Sequence, residues 1–439
     1  MTDDGILELR DLLQKHGTRR DLDLHLVERV EEAPALFQAG LVHRKWAVVA
    51  DETTQRLAGT YLASALNAPL LRIPGRAGGA VVAGRAEADR LTRQLQTSGA
   101  EAVVAVGAGS LNDLTKFASQ QLGIGCAVLA TAPSMNGYTS AGAALLEGGV
   151  KLSVPCAPPR ITVAPIGLLC QAPARMIAAG YGDLRSRPVS GADWYLSHRL
   201  LGTPYAAEAL GLIDEADRVA AAAVDGLATR SPAAIANLTT GLLLSGMAMD
   251  IVGTSAPASG GEHLVSHYLD MFHFSCGGPH DLHGCQVGVA TLALASLYER
   301  LLKIDIHAVQ APTHEPWTDL AERLASHFGP LWSAVEPIAR QVHGDDEARQ
   351  DRLETLRLGW AETTTELRRI LGPNPTCTEQ LQRAGAPIRF ADLGVSPEQT
   401  RAALLHARFV RARYTVLDLA AELGLLDSWV DDLLATSHL

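Results

Sequence analysis

Five of the chain's fifteen histidines fall between positions 263 and 283, and imidazole is well suited to binding metal or moving protons near neutral pH. They are His263, His267, His273, His280 and His283. His263 and His267 are four residues apart, so a helix over 262–271 would place both rings on one face. The spacing therefore predicts a helical face that binds a metal ion or a substrate.

The segment that follows this helix contains strong helix breakers. Gly277, Gly278 and Pro279 interrupt residues 274–282, which predicts a loop that turns the chain back. A second helix is predicted to begin near His283. One imidazole from each helix could then meet over a single ion, because neutral imidazole nitrogen binds zinc, nickel and iron. The alternative is that these are ordinary polar or aromatic-contact histidines.

A carboxylate is expected to complete such a site, and several acids compete for this position. Asp183 follows two glycines and is interpreted either as a helix cap or as the metal ligand. Glu262 and Asp281 lie beside the histidines and are alternatives. Cys276 and Cys285 flank the cluster, but catalytic metal sites often use only nitrogen and oxygen ligands.

Composition restricts the classes of partner. With 439 residues, 47% of them hydrophobic, the chain can form two domains with a large core. A net charge of −11 argues against a nucleic-acid partner. The charged first thirty residues contain no apolar signal-peptide core, which predicts a cytoplasmic protein. The most apolar later run, 241–253, is shorter than the ~20 residues that span a bilayer, so no membrane insertion is expected.

Short apolar runs alternate with helical patterns in the first third of the chain. The predicted strands are 45–51, 80–84, 102–106 and 126–130, and the predicted helices between them are 54–66 and 87–98. This alternation predicts a parallel sheet covered on both faces. Beyond Val163, alanine- and leucine-rich helical periodicity dominates. We therefore predict an α/β nucleotide-binding domain over 1–163 and an all-α helical bundle over 164–439.

A glycine-containing segment, 107–111, directly follows the predicted strand 102–106. Glycines at a strand end let a diphosphate approach the backbone, and amides that begin the next helix favour its negative charge. The segment predicts a dinucleotide cradle, although it lacks the GxGxxG fingerprint and Gly-x-Gly alone is a weak signal. Asp51 ends an earlier strand and either binds ribose hydroxyls, which favours NAD over NADP, or caps the next helix. The hydroxyl-rich segment 131–140 is typical of a loop that lines a cleft.

The chain resembles a known family through motifs that occur in consistent order from about Trp46 to Leu297. They are VGAGSLNDLTKFAS, TAPSMNGYTS, AGYGDLRSR with ADW, GGEHLVSHYLD and LHGCQVGVAT. Together they resemble the glycerol-1-phosphate dehydrogenases, particularly the bacterial branch. These belong to the superfamily of iron-type alcohol dehydrogenases, glycerol dehydrogenases and dehydroquinate synthases. The resemblance implies a dehydroquinate-synthase-like architecture, with a cleft between a nucleotide-binding domain and a helical domain.

The resemblance also implies roles for individual residues. Asp183, His263 and His283 match metal-ligand positions, and His283 is preferred over its neighbour His280 because it begins the HGxxVG pattern. His267 matches a substrate-contacting position, as does Asp183. The expected catalytic residues are therefore Asp183, His263, His267 and His283.

Contacts with the nicotinamide cofactor are implied for Asp51 and for residues of two loops. These residues are Asp51, Gly107, Ala108, Gly109, Ser110, Leu111, Thr131, Ala132, Pro133, Ser134 and Ser140.

The chain departs from the family pattern at a few positions. Asn136 stands where the family has a substrate-contacting aspartate, and asparagine donates hydrogen bonds but cannot act as a base. Its presence suggests a shift towards a related polyol. Ala108 interrupts a usual run of three glycines, Ala164-Pro165 replaces an Asp-Thr pair, and Arg187 replaces a lysine.

The implied activity is metal-dependent, NAD-linked interconversion of glycerol 1-phosphate and dihydroxyacetone phosphate, or of a closely related polyol phosphate. NADP is the other candidate cofactor, and zinc or nickel is expected ahead of iron. The alternatives are a dehydroquinate-synthase-like sugar-phosphate cyclase and a catalytically silent scaffold that retains the fold. The large helical domain suggests a homo-oligomer, with a dimer expected.

Overall fold

The computed structural model describes residues 3–42, 45–75, 79–372 and 374–436. Its β-strands are β1 Asp23–Val27, β2 Trp46–Ala50, β3 Leu70–Arg72, β4 Ala102–Gly107, β5 Gly125–Ala130, β6 Gly142–Glu147, β7 Val150–Pro155 and β8 Ile161–Pro165. Six of them form one sheet in the order β1-β8-β5-β4-β2-β3, in which all neighbours are parallel. β6 and β7 form a separate antiparallel hairpin.

The strands alternate with helices, and further helices make up the rest of the described chain. The helices are α1 Asp3–Arg19, α2 Ala33–Gly40, α3 Glu52–Thr54, α4 Thr60–Ala65, α5 Arg85–Ser98, α6 Gly109–Leu122, α7 Ile166–Leu169, α8 Ala174–Leu184, α9 Arg187–Leu201, α10 Ala207–Leu227, α11 Pro232–Val252, α12 Gly261–Cys276, α13 His283–Leu301, α14 Trp317–Phe328, α15 Trp332–His343, α16 Asp346–Leu358, α17 Trp360–Leu371, α18 Asn374–Arg383, α19 Pro397–His406, α20 Val416–Glu422 and α21 Leu426–Ala435. A π-helical turn, Gln55–Gly59, joins α3 to α4.

The central strands of the sheet are buried on both faces. Val48 and Val104 pack into the core on one face, whereas Val49 and Val103 pack into the core on the other. A strand buried on both sides carries a continuous apolar run instead of an alternating one, as β2 and β4 do. The predicted architecture, an α/β domain with a parallel sheet followed by a helical domain, is confirmed.

The order of the strands changes direction beside β2. From β2 the chain passes outward to β3, then returns to β4 on the other side of β2. Ligands of open α/β sheets bind at such a switch point, beyond the carboxyl ends of the strands. Asp51 follows β2, Ala108 follows β4 and the segment 131–140 follows β5, so three predicted cofactor segments lie at this edge.

One prediction about local structure is wrong, and one of the two interpretations of Asp183 is excluded. The apolar run 80–84 is not a strand, because β3 occupies the sheet edge beside β2, and the run instead contacts β6 through one bridge from Gly84 to Leu146. Asp183 does not cap a following helix, because it lies in the last turn of α8 and Ser186 occupies the N-cap of α9.

The other boundaries differ only in extent. α12 continues to Cys276, so the loop before α13 is shorter than predicted. The sheet ends at Pro165, just beyond the domain boundary predicted at 163/164, which stays a prediction. The apolar run 241–253 belongs to α11, which at 21 residues is long enough to cross a membrane, but 83% of its apolar window is buried inside the protein. In this structure α11 is a core helix.

Candidate active site

Three helices bring the predicted metal-binding residues together. Asp183 lies at the end of α8, His263 in the first turn of α12, and His283 at the start of α13. The Nε2 atoms of His263 and His283 lie 3.4 Å and 3.9 Å from Oδ1 of Asp183. One ligand atom from each of the three residues lies within 4.8 Å of the others, close enough to share one cation.

Small residues allow this convergence. A β-carbon on Gly284 would lie 1.9 Å from the main-chain oxygen of Ala179, so the backbones of α13 and α8 touch. A β-carbon on Gly180 would lie 1.9 Å from the oxygen of Pro133, so α8 also touches the loop that follows β5. α8 therefore connects the nucleotide-binding edge of the sheet with the histidines.

Both predicted histidine ligands are oriented through their Nδ1 atoms. Nδ1 of His263 lies 2.7 Å from Oε1 of Glu262, and Nδ1 of His283 lies 2.9 Å from Oγ of Ser266. These contacts hold each Nδ1 and leave each Nε2 facing Asp183. Metal-binding histidines commonly have their second nitrogen fixed in this way.

The carboxylate of Asp183 has one satisfied and one unsatisfied oxygen. Oδ2 accepts a hydrogen bond of 3.0 Å from the main-chain N–H of Asn136. Oδ1 is buried and accepts no hydrogen bond from the described residues. A buried carboxylate oxygen is costly without a partner, and a cation held between Oδ1 and the two Nε2 atoms would supply one. These donors fit a divalent cation that accepts nitrogen and oxygen ligands.

The electrostatic environment favours neutral rings at two of the histidines. Burial, with the charges of Lys151 and His263, holds the pKa of His283 well below its ordinary value of 6.5. Burial, Lys151 and His283 do the same for the pKa of His267. His263 differs: burial disfavours its charged form, but the carboxylates of Asp183 and Glu262 outweigh burial and raise its pKa. A proton therefore competes with a cation chiefly at His263.

His267 lies at the rim of this group. Its ring centroid is 6.4 Å from that of His263 and 5.6 Å from that of His283, with which it stacks. It is half-buried, whereas His263 is buried. His267 is therefore placed to contact a molecule that binds beside the three ligand atoms.

The competing candidates have other partners. Nε2 of His280 lies 3.5 Å from Oδ1 of Asp270, and the His280 ring stacks on that of His273. Asp281 forms an ion pair with Arg175. Neither His280 nor Asp281 belongs to the group around Asp183.

The two cysteines that flank the histidines also lie apart from this group. Cys276 is exposed at the end of α12, and Cys285 is buried with its thiol near the main-chain oxygen of Arg175.

The segment 107–111 leads from β4 into α6. Gly107 ends the strand, Ala108 is the N-cap, and the helix begins at Gly109. A β-carbon on Gly109 would meet only the side chain of Met135, at 3.5 Å, so its surroundings are open on the other sides. α6 therefore begins at the carboxyl end of β4, and binding of a diphosphate by the amides of its first turn stays a prediction.

Asp51 has the capping role that the sequence left as one of two interpretations. Its Oδ1 accepts a hydrogen bond of 2.7 Å from the main-chain N–H of Thr54, at the start of α3. This bond occupies one oxygen of the carboxylate. A contact with ribose through the other oxygen stays a prediction.

The loop 131–140 is attached to the end of β4 and to α11. Thr131 donates its main-chain N–H to the oxygen of Gly107 at 3.2 Å, and Thr139 donates its hydroxyl to the oxygen of Leu243 at 2.6 Å. The side-chain amide of Asn136 donates to Ser245 at 3.3 Å. Thr131, Ala132, Pro133, Ser134 and Ser140 therefore lie on a fixed loop between the glycine segment and Asp183.

Comparison with known proteins gives the family. A family model described as iron-containing alcohol dehydrogenase matches residues 28–173. The glycerol-1-phosphate dehydrogenase (NAD(P)+) of Bacillus licheniformis is 33% identical over 400 residues, which are 90% of this chain and 87% of that protein. This chain belongs to the glycerol-1-phosphate dehydrogenase family. The Bacillus subtilis enzyme of the same name is 30% identical over 85% of this chain and 84% of its own.

Solved structures agree with the fold of this glycerol-1-phosphate dehydrogenase family member. Glycerol dehydrogenase from Schizosaccharomyces pombe is 13% identical, with a TM-score of 0.60 over 94% of this chain and 91% of that chain. NADH-dependent butanol dehydrogenase A from Thermotoga maritima is 13% identical, with a TM-score of 0.58 over 94% and 96%. The resemblance stated from the motifs is confirmed.

The sequence did not assign several residues that position the site of this family member. Glu262 and Ser266 orient the histidine rings, and Ser266 also lies 2.7 Å from the side-chain amide of Gln286. Lys116 is fully buried, and its Nζ donates to the main-chain oxygens of Gly137 and Ser140 at 3.0 and 3.3 Å. The sequence signal for Lys116 was its position on the apolar face of the predicted helix, because a buried charge requires polar partners nearby.

Proposed function

We propose that this protein interconverts glycerol 1-phosphate and dihydroxyacetone phosphate with NAD(P) in the cleft between the sheet edge and α12. One observation carries the proposal: the Nε2 atoms of His263 and His283 converge on a buried oxygen of Asp183 that has no other partner. The family to which the chain belongs supports it, since its relatives are named for this activity.

Asp183, His263 and His283 would hold one divalent cation. When bound, the cation supplies a Lewis acid that polarises the reacting oxygen of the substrate. We assign zinc or nickel ahead of iron, because nitrogen and oxygen ligands bind both more tightly than ferrous iron. Glu262 and Ser266 keep the rings of His263 and His283 in position during the reaction.

His267 would contact the substrate and exchange its proton. Oxidation removes a hydride from carbon and a proton from the hydroxyl, and the nicotinamide accepts the hydride. The pKa of His267 is lowered, so its ring is neutral and one ring nitrogen can accept the hydroxyl proton and relay it to solvent. In the reverse direction the ring takes a proton from solvent and relays it to the oxygen of the ketone.

The segments 107–111 and 131–140 would hold the nicotinamide cofactor. The amides at the start of α6 face its diphosphate, and Asp51 accepts a hydrogen bond from ribose, which favours NAD over NADP. Asn136 would contact the substrate from its position beside Asp183 and Ser245. As a neutral amide it orients hydroxyls and leaves proton transfer to His267.

Metal content and turnover of the purified protein test the proposal. We expect about one zinc or nickel per chain and NADH oxidation when dihydroxyacetone phosphate is added. A bound metal without turnover would indicate a different substrate. Neither metal nor cofactor binding would indicate a silent scaffold. A cyclase would differ from both, because it regenerates its NAD and shows no net NADH oxidation.

We also propose that the protein forms a homodimer and that it is located in the cytoplasm. Light scattering coupled to size-exclusion chromatography would measure the oligomeric state, and fractionation of the source cells would locate the protein.

A further inference from the structure

We infer that Arg411 binds the phosphate group of the substrate, which assigns the anionic end of the site. This inference rests on the proposed function and adds the residue that recognises a phosphate ester over a free polyol. Arg411 lies in the segment between the 3₁₀ turn Ala407–Phe409 and α20.

The segment that carries Arg411 is fixed against the start of α12. Oδ1 of Asp193 accepts the main-chain N–H of Val416 at 2.7 Å, and Oδ2 accepts that of Gly261 at 2.7 Å. The turn Ala407–Phe409, which precedes Arg411 in the chain, also packs on α12. Arg411 is therefore held beside the helix that presents His263 and His267.

Among the described residues, Arg411 differs from its neighbours in having no side-chain partner. Nε of Arg408 lies 3.0 Å from Oδ1 of Asp418, and Arg413 donates to Ser255 at 2.9 Å and to the main-chain oxygen of Ser259. Within the described residues, Arg411 makes no side-chain hydrogen bond or ion pair, although it is half-buried. A guanidinium removed from water without an acid is a binding group for an incoming anion.

The charge of Arg411 acts on the active site. Arg411 lies close enough to His267 for the charge of its guanidinium to interact with that ring. A phosphate dianion that binds beside His267 would be attracted by this charge.

Lys151 is the second cation near His267, but it already has a partner. Its Nζ lies 2.9 Å from Oδ2 of Asp270, which is buried. Asp270 offsets much of the Lys151 charge, whereas no described residue pairs with the donors of Arg411. The planar fork of arginine also matches two oxygens of one phosphate.

Calorimetric titration of glycerol 1-phosphate into zinc-loaded protein tests the inference without turnover. Arg411→Met should raise the dissociation constant on the order of 10- to 100-fold, as expected for loss of charge-assisted hydrogen bonds. Arg411→Lys should recover part of the affinity. The control is Arg401→Met, which removes an exposed arginine that already pairs with Asp431 and should change nothing. Unchanged affinity in Arg411→Met would overturn the inference.

Substrate preference separates a phosphate contact from damage to the site. The ratio of kcat/KM for dihydroxyacetone phosphate to kcat/KM for dihydroxyacetone should fall in Arg411→Met by the factor seen in the titration. An equal loss on both ketones would show a structural role and reject the inference. If Arg411→Met does not fold, Arg411→Lys is used instead. A smaller fall in the same kcat/KM ratio supports the phosphate contact, and an equal loss on both ketones rejects it.

Failure of the proposed function would look different. If the wild-type protein does not reduce dihydroxyacetone phosphate, the proposed activity is wrong. The titration with the phosphate ester then still decides the role of Arg411.

Discussion

Gly284 touches the backbone of Ala179: a β-carbon at position 284 would lie 1.9 Å from the Ala179 oxygen. This contact joins α13 to α8 and sets His283 beside Asp183, whose ligand atoms are 3.9 Å apart. The geometry of the proposed metal ligands therefore depends on a glycine that contributes no ligand atom.

Gly284→Ala should disrupt the metal centre. The added methyl group requires a shift of α13 against α8, because the atom that it meets belongs to the backbone. We expect a loss of about 1–3 kcal/mol in the free energy of unfolding and substoichiometric metal. The control is Gly211→Ala on α10, where a β-carbon would meet nothing within 4 Å, so this variant should be neutral or slightly stabilised. Denaturant unfolding and metal analysis measure both, and full metal content in Gly284→Ala would contradict the argument.

The choice between two neighbouring histidines can be tested directly. His283→Ala removes a ring whose Nε2 faces Asp183, whereas His280→Ala removes a ring that faces Asp270. Loss of residues that merely orient metal ligands costs about 10- to 100-fold in affinity, so His283→Ala should cost at least about 100-fold. His280→Ala should bind metal like the wild type. Zinc titration against a chromophoric chelator measures the affinity of both variants. A larger loss of affinity in His280→Ala than in His283→Ala would place the metal beside His273 and His280 instead.

Much of this site could be predicted from the sequence. The four-residue spacing of His263 and His267 and the break at Gly277 were enough to predict α12, its loop and α13, because these are local signals. The buried strands β2, β4 and β5 were also predictable from their apolar runs.

The features that the sequence did not predict depend on tertiary contacts. The run 80–84 has the composition of a strand, but β3 fills the position beside β2. Asp183 lay beside glycines that suggested a cap, whereas those glycines allow α8 to approach the oxygen of Pro133 and the backbone of Gly284. Arg411 lies more than a hundred residues from the histidines in sequence, so no local pattern connects it with them.

Metal affinity should depend on pH through His263. Its pKa is raised above 6.5, so the folded apoprotein carries a proton there at pH values at which an unfolded histidine has lost it. A cation must displace this proton, and affinity should rise as pH increases from 6 until it levels off above the raised pKa. His267 and His283 have lowered pKa values and are already neutral in this range.

Glu262→Gln is the matched variant for this pH dependence. Glutamine can still accept a hydrogen bond from Nδ1 of His263, but it removes the charge that helps to raise the pKa. The pH at which zinc affinity levels off should therefore move to a lower value. Zinc dissociation constants measured from pH 6 to 9 give the profile. An unmoved profile would show that Glu262 does not control protonation of His263.

Cofactor preference should respond to the charge of Asp51. Asp51→Asn keeps an oxygen that can cap α3 through the N–H of Thr54 but removes the charge that would repel a 2′-phosphate. We expect the ratio of kcat/KM for NADPH to that for NADH to rise about 10-fold or more, with little change in thermal stability. Steady-state kinetics with the two cofactors measure the ratio. If the ratio stays constant while stability falls, Asp51 is only a cap.

Lys116 should control cofactor affinity without touching the cofactor. Its Nζ donates to the oxygens of Gly137, Ser140 and Gly142, and so holds the end of the loop 131–140 against α6. Lys116→Met has a similar length but removes these hydrogen bonds and the ion pair of 3.4 Å with Asp113, which should cost about 1–3 kcal/mol of stability or release the loop.

The effect of Lys116→Met should appear mainly in the KM for NADH. The loop lies between the glycine segment and Asp183, so its displacement weakens the cofactor site before it alters the three metal ligands. Metal content should stay near that of the wild type, and Lys303→Met, which replaces an exposed lysine, should change neither quantity. A Lys116→Met protein that loses metal but keeps its KM for NADH would show that the loop supports the metal centre instead of the cofactor.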